Sequence, residues 1–78
     1  MAQETDILVD ARGHRCPVPT LKLRRALERA AAGAVVRLIA DDPMARIDVP
    51  HFAGQVGATV LETGDLDGAA TFRVRKGD

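Results

Sequence analysis

Apolar positions along this chain switch between two periods, and the switches mark its elements. Ile7, Leu8 and Val9 form a short unbroken apolar run, the pattern of a buried strand over residues 6–10. From residue 17 the period lengthens. Leu23, Ala26, Leu27 and Ala30 share one helical arc, and Lys22, Arg25, Glu28 and Arg29 share the opposite one, with Arg24 at its edge. The spacing predicts a helix over residues 17–32, started by Pro17 and Pro19 and stopped by Gly33. Val18 and Leu21 lie off the buried arc, near the helix start. The run VVRLIA at 35–40 is β-branched and apolar and predicts the second strand. Asp41-Asp42-Pro43 ends it, with Asp42 placed to cap a short turn. A second helix is predicted from Asp48 as N-cap, with Pro50 in its first turn, Val49, Phe52, Ala53 and Val56 on its buried face, and Gly57 after it. Residues 58–62 read as a third strand and 64–68 as a hairpin turn. Residues 69–75 alternate, with Ala70, Phe72 and Val74 on one face and Thr71, Arg73 and Arg75 on the other.

The order is β-α-β-α-β-β. Its fold class is α+β, a two-layer sandwich with two helices on one face of a four-stranded mixed sheet, because that arrangement buries both amphipathic arcs. The 78 residues make a single domain over 1–78, with the polar residues 1–5 expected to fray. So small a core leaves little room for an enclosed cofactor pocket. One cysteine cannot form an internal disulfide, which fits a reducing cytoplasm. There is no apolar run of membrane-spanning length and no signal-peptide pattern, so a soluble cytoplasmic protein, acting as a monomer, is expected.

Charge is balanced overall, 11 basic against 11 acidic residues, but segregated along the chain. From Arg12 to Arg29, the bases Arg12, Arg15, Lys22, Arg24, Arg25 and Arg29 stand against only Glu28. From Asp41 to Asp67, the acids Asp41, Asp42, Asp48, Glu62, Asp65 and Asp67 stand against only Arg46. Ordinary solvated faces account for most of these residues. The sharper reading is a basic surface around the thiol that attracts an anionic partner.

That thiol, Cys16, sits in Asp10-Ala-Arg-Gly-His-Arg-Cys-Pro-Val-Pro19, where strand hands over to helix. A cysteine at or just before a helix N-cap meets the positive end of the macrodipole and unpaired N–H donors, so its thiolate is expected to form more readily than that of a free thiol. Pro17 and Pro19 stiffen the turn, Gly13 allows a positive φ, and Arg12, Arg15 and His14 add positive charge. The bland alternatives are a buried structural cysteine and an exposed loop histidine. One cysteine with two distant histidines makes no metal site, and no glycine-rich phosphate loop is present. An RNA-binding domain could use the basic helix, but Tyr and Trp are absent and Phe52 and Phe72 fall on core faces, leaving no stacking platform. A regulatory interaction module with a redox-sensitive cysteine is the other alternative.

The run Asp10-x-x-Gly13-x-x-Cys16-Pro17-x-Pro19 resembles the signature of the TusA-type sulfur carriers, also called SirA-like proteins. Ala40-Asp41-Asp42-Pro43, Arg46-x-Asp48-x-Pro50-x-Phe52 and Phe72-x-Val74-Arg75-Lys76-Gly77 continue the resemblance in order. The resemblance implies the same two-layer fold. It also implies that Cys16 takes a sulfane sulfur from a cysteine desulfurase or rhodanese-type donor, carries it as a transient persulfide with no other cofactor, and passes it to an acceptor protein. Family roles in tRNA thiolation, molybdenum-cofactor biosynthesis and sulfur oxidation all follow this scheme. Neither a membrane nor direct nucleic-acid contact is expected. Val18, Leu21, Lys22, Arg24, Arg25, Asp41 and Asp42 are the expected docking residues. The chain departs from the family pattern at His14, where an apolar residue is usual, and at Ala53, where some members have a second cysteine. With no second thiol, transfer must be intermolecular.

Overall fold

A computed structural model describes residues 6–15 and 17–77. The elements are β1 (Ile7–Asp10), α1 (Val18–Arg29), β2 (Val35–Ala40), α2 (Ala45–Gln55), β3 (Thr59–Leu66) and β4 (Ala69–Arg75). They form one sheet in the order β1-β2-β4-β3, with β1 parallel to β2 and the remaining neighbours antiparallel. Both helices cover one face. Leu23 and Leu27 of α1 and Val49 and Ala53 of α2 pack with Val36, Leu38, Phe72 and Val74 of the central strands in a single core. The predicted topology and the predicted limits of β2 and β4 match.

Several boundaries differ, and the hydrogen bonds at each show why. The first strand, read as buried, is an edge strand. It pairs only with β2, and Leu8 points away from the helices with 63% of its surface exposed. Helix α1 stops at Arg29, before the expected residue 32, with Ala30 in an extended conformation. Lys76 accounts for this: its Nζ donates to the Ala30 carbonyl at 2.7 Å, its N–H donates to Ala34, and its carbonyl accepts from Gly33. A lysine at the last carbonyls complements the negative end of the helix.

Helix α2 begins three residues before Asp48, so Asp48 and Pro50 lie inside it and neither plays the expected role at its start. Asp42 sets this start. Its Oδ1 accepts from the Met44 N–H at 3.0 Å and its carbonyl accepts from the Ala45 N–H at 2.9 Å. At the other end Val56, assigned to the buried face, is exposed at the C-cap.

Strand β3 runs on through Thr63, Gly64 and Asp65, which sequence reasoning gave to the turn in part, because β4 offers each a partner in Phe72, Thr71 and Ala70. The turn shrinks to Asp67 and Gly68, both at positive φ (50° and 88°), the conformation that joins two right-twisted strands most directly. A register shift lies between Val60 and Glu62, the kind of irregularity that blunts an exposed edge. On the open face Arg73 is held by Asp6 at 2.8 Å and by Glu62 at 3.6 Å.

Candidate functional site

Because β1 and β2 run parallel, the loops leaving their C-terminal ends emerge on the same edge of the sheet. One leads to α1 and the other to α2, so both helix starts gather there. The antiparallel pairing of Ala40 with Ala70 brings the Asp67–Gly68 turn to that edge as well. Cys16 belongs to the first of these loops in sequence and lies outside the described residues, so its predicted exposure and ionisation rest on its neighbours.

Those neighbours are well anchored. The Ala11 N–H donates to the Ile39 carbonyl at 2.8 Å, continuing the parallel pairing one residue past β1. Gly13 then adopts φ +85°, which a residue with a Cβ reaches only with strain. Its N–H donates to both carboxylate oxygens of Asp41, at 3.0 and 3.1 Å. The His14 N–H turns back to the Ala11 carbonyl at 3.2 Å. Beyond Cys16, the Val18 N–H donates to the Arg15 carbonyl at 2.9 Å, and the Pro17 carbonyl accepts from the Leu21 N–H and the Thr20 hydroxyl. Pro17 occupies the N-cap position and Pro19 is buried in the first turn. No acidic residue stands in that turn, so no carboxylate within α1's own first turn offsets the positive end of its dipole.

The charges do not fall as their segregation along the chain suggests. Asp10 takes Arg12 in a two-pronged pair, at 2.9 Å from Nε and 2.7 Å from Nη2, and also accepts the Arg12 N–H. These hydrogen bonds hold the Asp10 carboxyl down to about 2 and raise the Arg12 guanidinium. Arg12 is therefore matched by Asp10, and its charge is not simply added to the thiol's surroundings. Asp41 is engaged by Gly13. Asp42 is buried and, with Asp48, lines a shallow crevice against Pro19 and Thr20 between the two helix starts. Arg46 at the start of α2 pairs with Asp65 of the hairpin. Asp41, Asp42, Asp48 and Asp65 of the acidic stretch thus fold back onto the edge where both helices start. The basic residues Lys22, Arg24 and Arg25 run along the exposed side of α1, with Arg24 paired to Glu28 at 3.3 Å.

Of the other predicted site residues, His14, Arg15 and Pro17 are exposed, Val18 is half-buried, and Leu21 is 54% exposed. Two apolar residues escaped the sequence reading: Met44 and Ile47, the latter 64% exposed, at the start of α2. Their three-residue spacing marks one helical face, a signal hidden while the helix was taken to begin at Asp48. A separate open cleft of about 580 Å³ lies between α1 and the C-terminal end of α2, bordered by Leu27, Phe52, Val56 and Lys76. No residue of either helix start lines it. Phe72 is buried and Phe52 half-buried, and these are the chain's only aromatic residues. Among the described residues no three of His, Cys, Asp and Glu gather as metal ligands, and no helix is long and apolar enough to cross a membrane.

Comparison with known proteins agrees with this geometry along nearly the whole chain. The family model for sulfurtransferase TusA matches residues 7–76. A sulfur carrier protein TusA of Pseudomonas putida (strain F1) is 34% identical over 71 residues, covering 91% of this chain and 89% of the relative. One from Pseudomonas aeruginosa (strain LESB58) is 32% identical over 76 residues, covering 97% and 96%. The crystal structure of a SirA-like protein from Desulfitobacterium hafniense superposes with a TM-score of 0.79 at 30% identity, covering 92% of this chain and 99% of that one. Sequence and fold agree with these relatives over nearly the whole chain, and the chain belongs to the TusA (SirA-like) sulfurtransferase family.

Proposed function

We propose that this protein is a sulfur carrier in which Cys16 receives a sulfane sulfur, holds it as a persulfide and delivers it to an acceptor protein. The observation that carries this reading is the position of the chain's only thiol, immediately before N-cap Pro17 of a helix with no acidic residue in its first turn. A thiolate there is stabilised by the helix dipole, and the thiolate is the nucleophile that sulfur transfer needs.

The exchange balances without an external oxidant or reductant. The Cys16 thiolate attacks the outer sulfur of a donor persulfide, an S–S bond forms at Cys16, and the donor's S–S bond breaks. The donor thiolate leaves with the electron pair, and the proton of the donor persulfide stays with the transferred sulfur. Delivery repeats the step with Cys16 as the leaving group. Having no second cysteine, the chain cannot resolve the persulfide internally, so both steps join two proteins.

Donors of the cysteine desulfurase or rhodanese type would supply the sulfur in a reducing compartment such as the cytoplasm. Docking beside the thiol falls to Val18, Leu21, Lys22, Arg24 and Arg25 on α1, and to Met44 and Ile47 on α2. Choice among tRNA thiolation, molybdenum-cofactor biosynthesis and sulfur oxidation would lie in these exposed residues, since the thiol chemistry is the same for each.

Intact-protein mass spectrometry after incubation with a persulfide donor tests the reading. The wild type should gain the mass of one sulfur, lose it on treatment with a reductant, and show no gain as Cys16→Ser. A wild type left unmodified by small-molecule and protein donors alike would overturn it.

A further inference from the structure

The carboxylate of Asp41 makes a contact that neither docking nor charge patterning explains. It sits just past the end of β2, 28 residues from Gly13 in sequence, and both its oxygens accept the Gly13 N–H. Gly13 is held at φ +85°, and an added Cβ there would meet nothing within 4 Å, so a close approach of other atoms does not force this conformation. The loop is instead fixed by its hydrogen bonds. Four of them surround the turn: Ala11 to Ile39, His14 to Ala11, Arg12 to the Asp10 carboxylate, and Gly13 to Asp41. Two are backbone pairs, which any side chains would make. The third reaches back two residues to Asp10, and only the fourth ties the loop to a side chain distant in sequence.

Two residues, His14 and Arg15, separate Gly13 from Cys16. On the far side, the Val18 to Arg15 bond and the first turn of α1 hold the chain. The described residues on either side of Cys16 are therefore held by a helix start and by the Asp41–Gly13 bond. Arg12 does not duplicate that anchor, because its guanidinium is taken by Asp10.

We propose that Asp41 is a positioning residue for Cys16: by holding the Gly13 N–H it sets where the thiol stands relative to the start of α1. This rests on the carrier reading for its role in transfer, but its effect on the thiol can be read without any sulfur. Alignment matters because the influence of a helix dipole falls off within its first turn. A loosened loop lets the sulfur drift out of that region and away from an incoming electrophile.

The experiment compares wild type, Asp41→Asn and Asp41→Ala. The asparagine keeps an oxygen that accepts from Gly13 and removes the charge, whereas the alanine removes both. The rate of Cys16 alkylation by iodoacetamide is measured from pH 5 to pH 10, followed by loading from glutathione persulfide, a donor too small to need docking. Asp41→Ala should slow both reactions about tenfold at neutral pH, short of the roughly hundredfold that misplacement by a full ångström costs. Its alkylation profile should also shift to higher pH. Asp41→Asn should stay within about threefold of wild type, since a neutral acceptor retains around half the strength of a charged one. Asp41 is exposed, and melting curves establish that each variant is folded. Should the alanine variant fail to fold, the Gly13 amide decides: its proton exchange should be slow in wild type and Asp41→Asn, and fast exchange in wild type would overturn the proposal.

Wild-type alkylation kinetics in Asp41→Ala would overturn it as well. Asparagine and alanine variants impaired to the same degree would show that the charge acts and the hydrogen bond does not, with the same consequence. If the alkylation pattern holds but no variant takes up sulfur, positioning stands and the carrier reading falls.

Discussion

Leu23→Ala and Leu21→Ala remove the same atoms from the same helix, two residues apart, and their effects should separate cleanly. Leu23 is fully buried against the sheet, whereas Leu21 keeps 54% of its surface in solvent. Burying a leucine completely contributes about 1.5–3 kcal/mol by transfer alone. The cavity left by truncation raises the loss to about 3 kcal/mol, within a range of roughly 2–5. Alanine is at least as good a helix former as leucine, so propensity adds nothing to that loss. At roughly 0.05–0.15 kcal/mol per residue, a chain of 78 residues has about 4–12 kcal/mol in total. Leu23→Ala therefore forfeits a large share of it. With a urea slope near 1 kcal/mol/M, its denaturation midpoint should fall by about 3 M. Leu21→Ala should cost about 0.5 kcal/mol or less, as surface changes usually do. Function should reverse the order. Leu21→Ala should slow sulfur transfer from a protein donor while leaving loading from glutathione persulfide intact. Leu23→Ala, assayed while still folded, should slow neither reaction. Equal midpoint shifts for the two variants, or a loss below about 1 kcal/mol at Leu23, would refute the packing argument.

Charge reversal of Arg24 and Arg25 should slow protein-to-protein transfer at low salt and converge with wild type as salt rises, because rim charges act mainly on association rate. Identical salt slopes for the two proteins would mean that this face is only solvated. The stability cost should be small, since the Arg24–Glu28 pair is exposed and of a kind worth about 0.3–0.5 kcal/mol. Asp10 gives a pH signature. Its folded pKa of about 2 lies below the ordinary 3.8, so the Arg12 pair stabilises the fold fully above that value and is lost as pH falls through 2. Asp10→Asn should flatten this acid limb, and a melting-temperature profile parallel to wild type would show that the pair adds nothing to folding.

Much of this protein is legible in its sequence. The alternation at 69–75 and the β-branched run at 35–40 place the two central strands to the residue, because a strand flanked on both sides is specified by its own buried face. The buried arc of α1 is likewise written in Leu23, Leu27 and Ala30. The thiol's place before two prolines, and the absence of any second cysteine, are sequence facts from which the proposed chemistry follows.

Tertiary structure decided the ends of elements and the company that each charge keeps. Lys76 halts α1 from far along the chain and β4 draws Gly64 and Asp65 into a strand, contacts that no local period records, whereas Asp42 starts α2 from two residues away, as its place before Pro43 suggests. The apolar run Ile7 to Val9 has the same pattern in a buried strand and at an edge, so only the sheet order shows that Leu8 faces solvent. Charge is the clearest case. Along the chain, bases gather at 12–29 and acids at 41–67, but the parallel pairing of β1 with β2 sends both following loops to one edge. Asp41 there meets Gly13, and Asp42 and Asp48 meet the first turn of α1. A carboxylate's partner is set by distance in space, and for residues 28 positions apart that distance exists only once the sheet has formed.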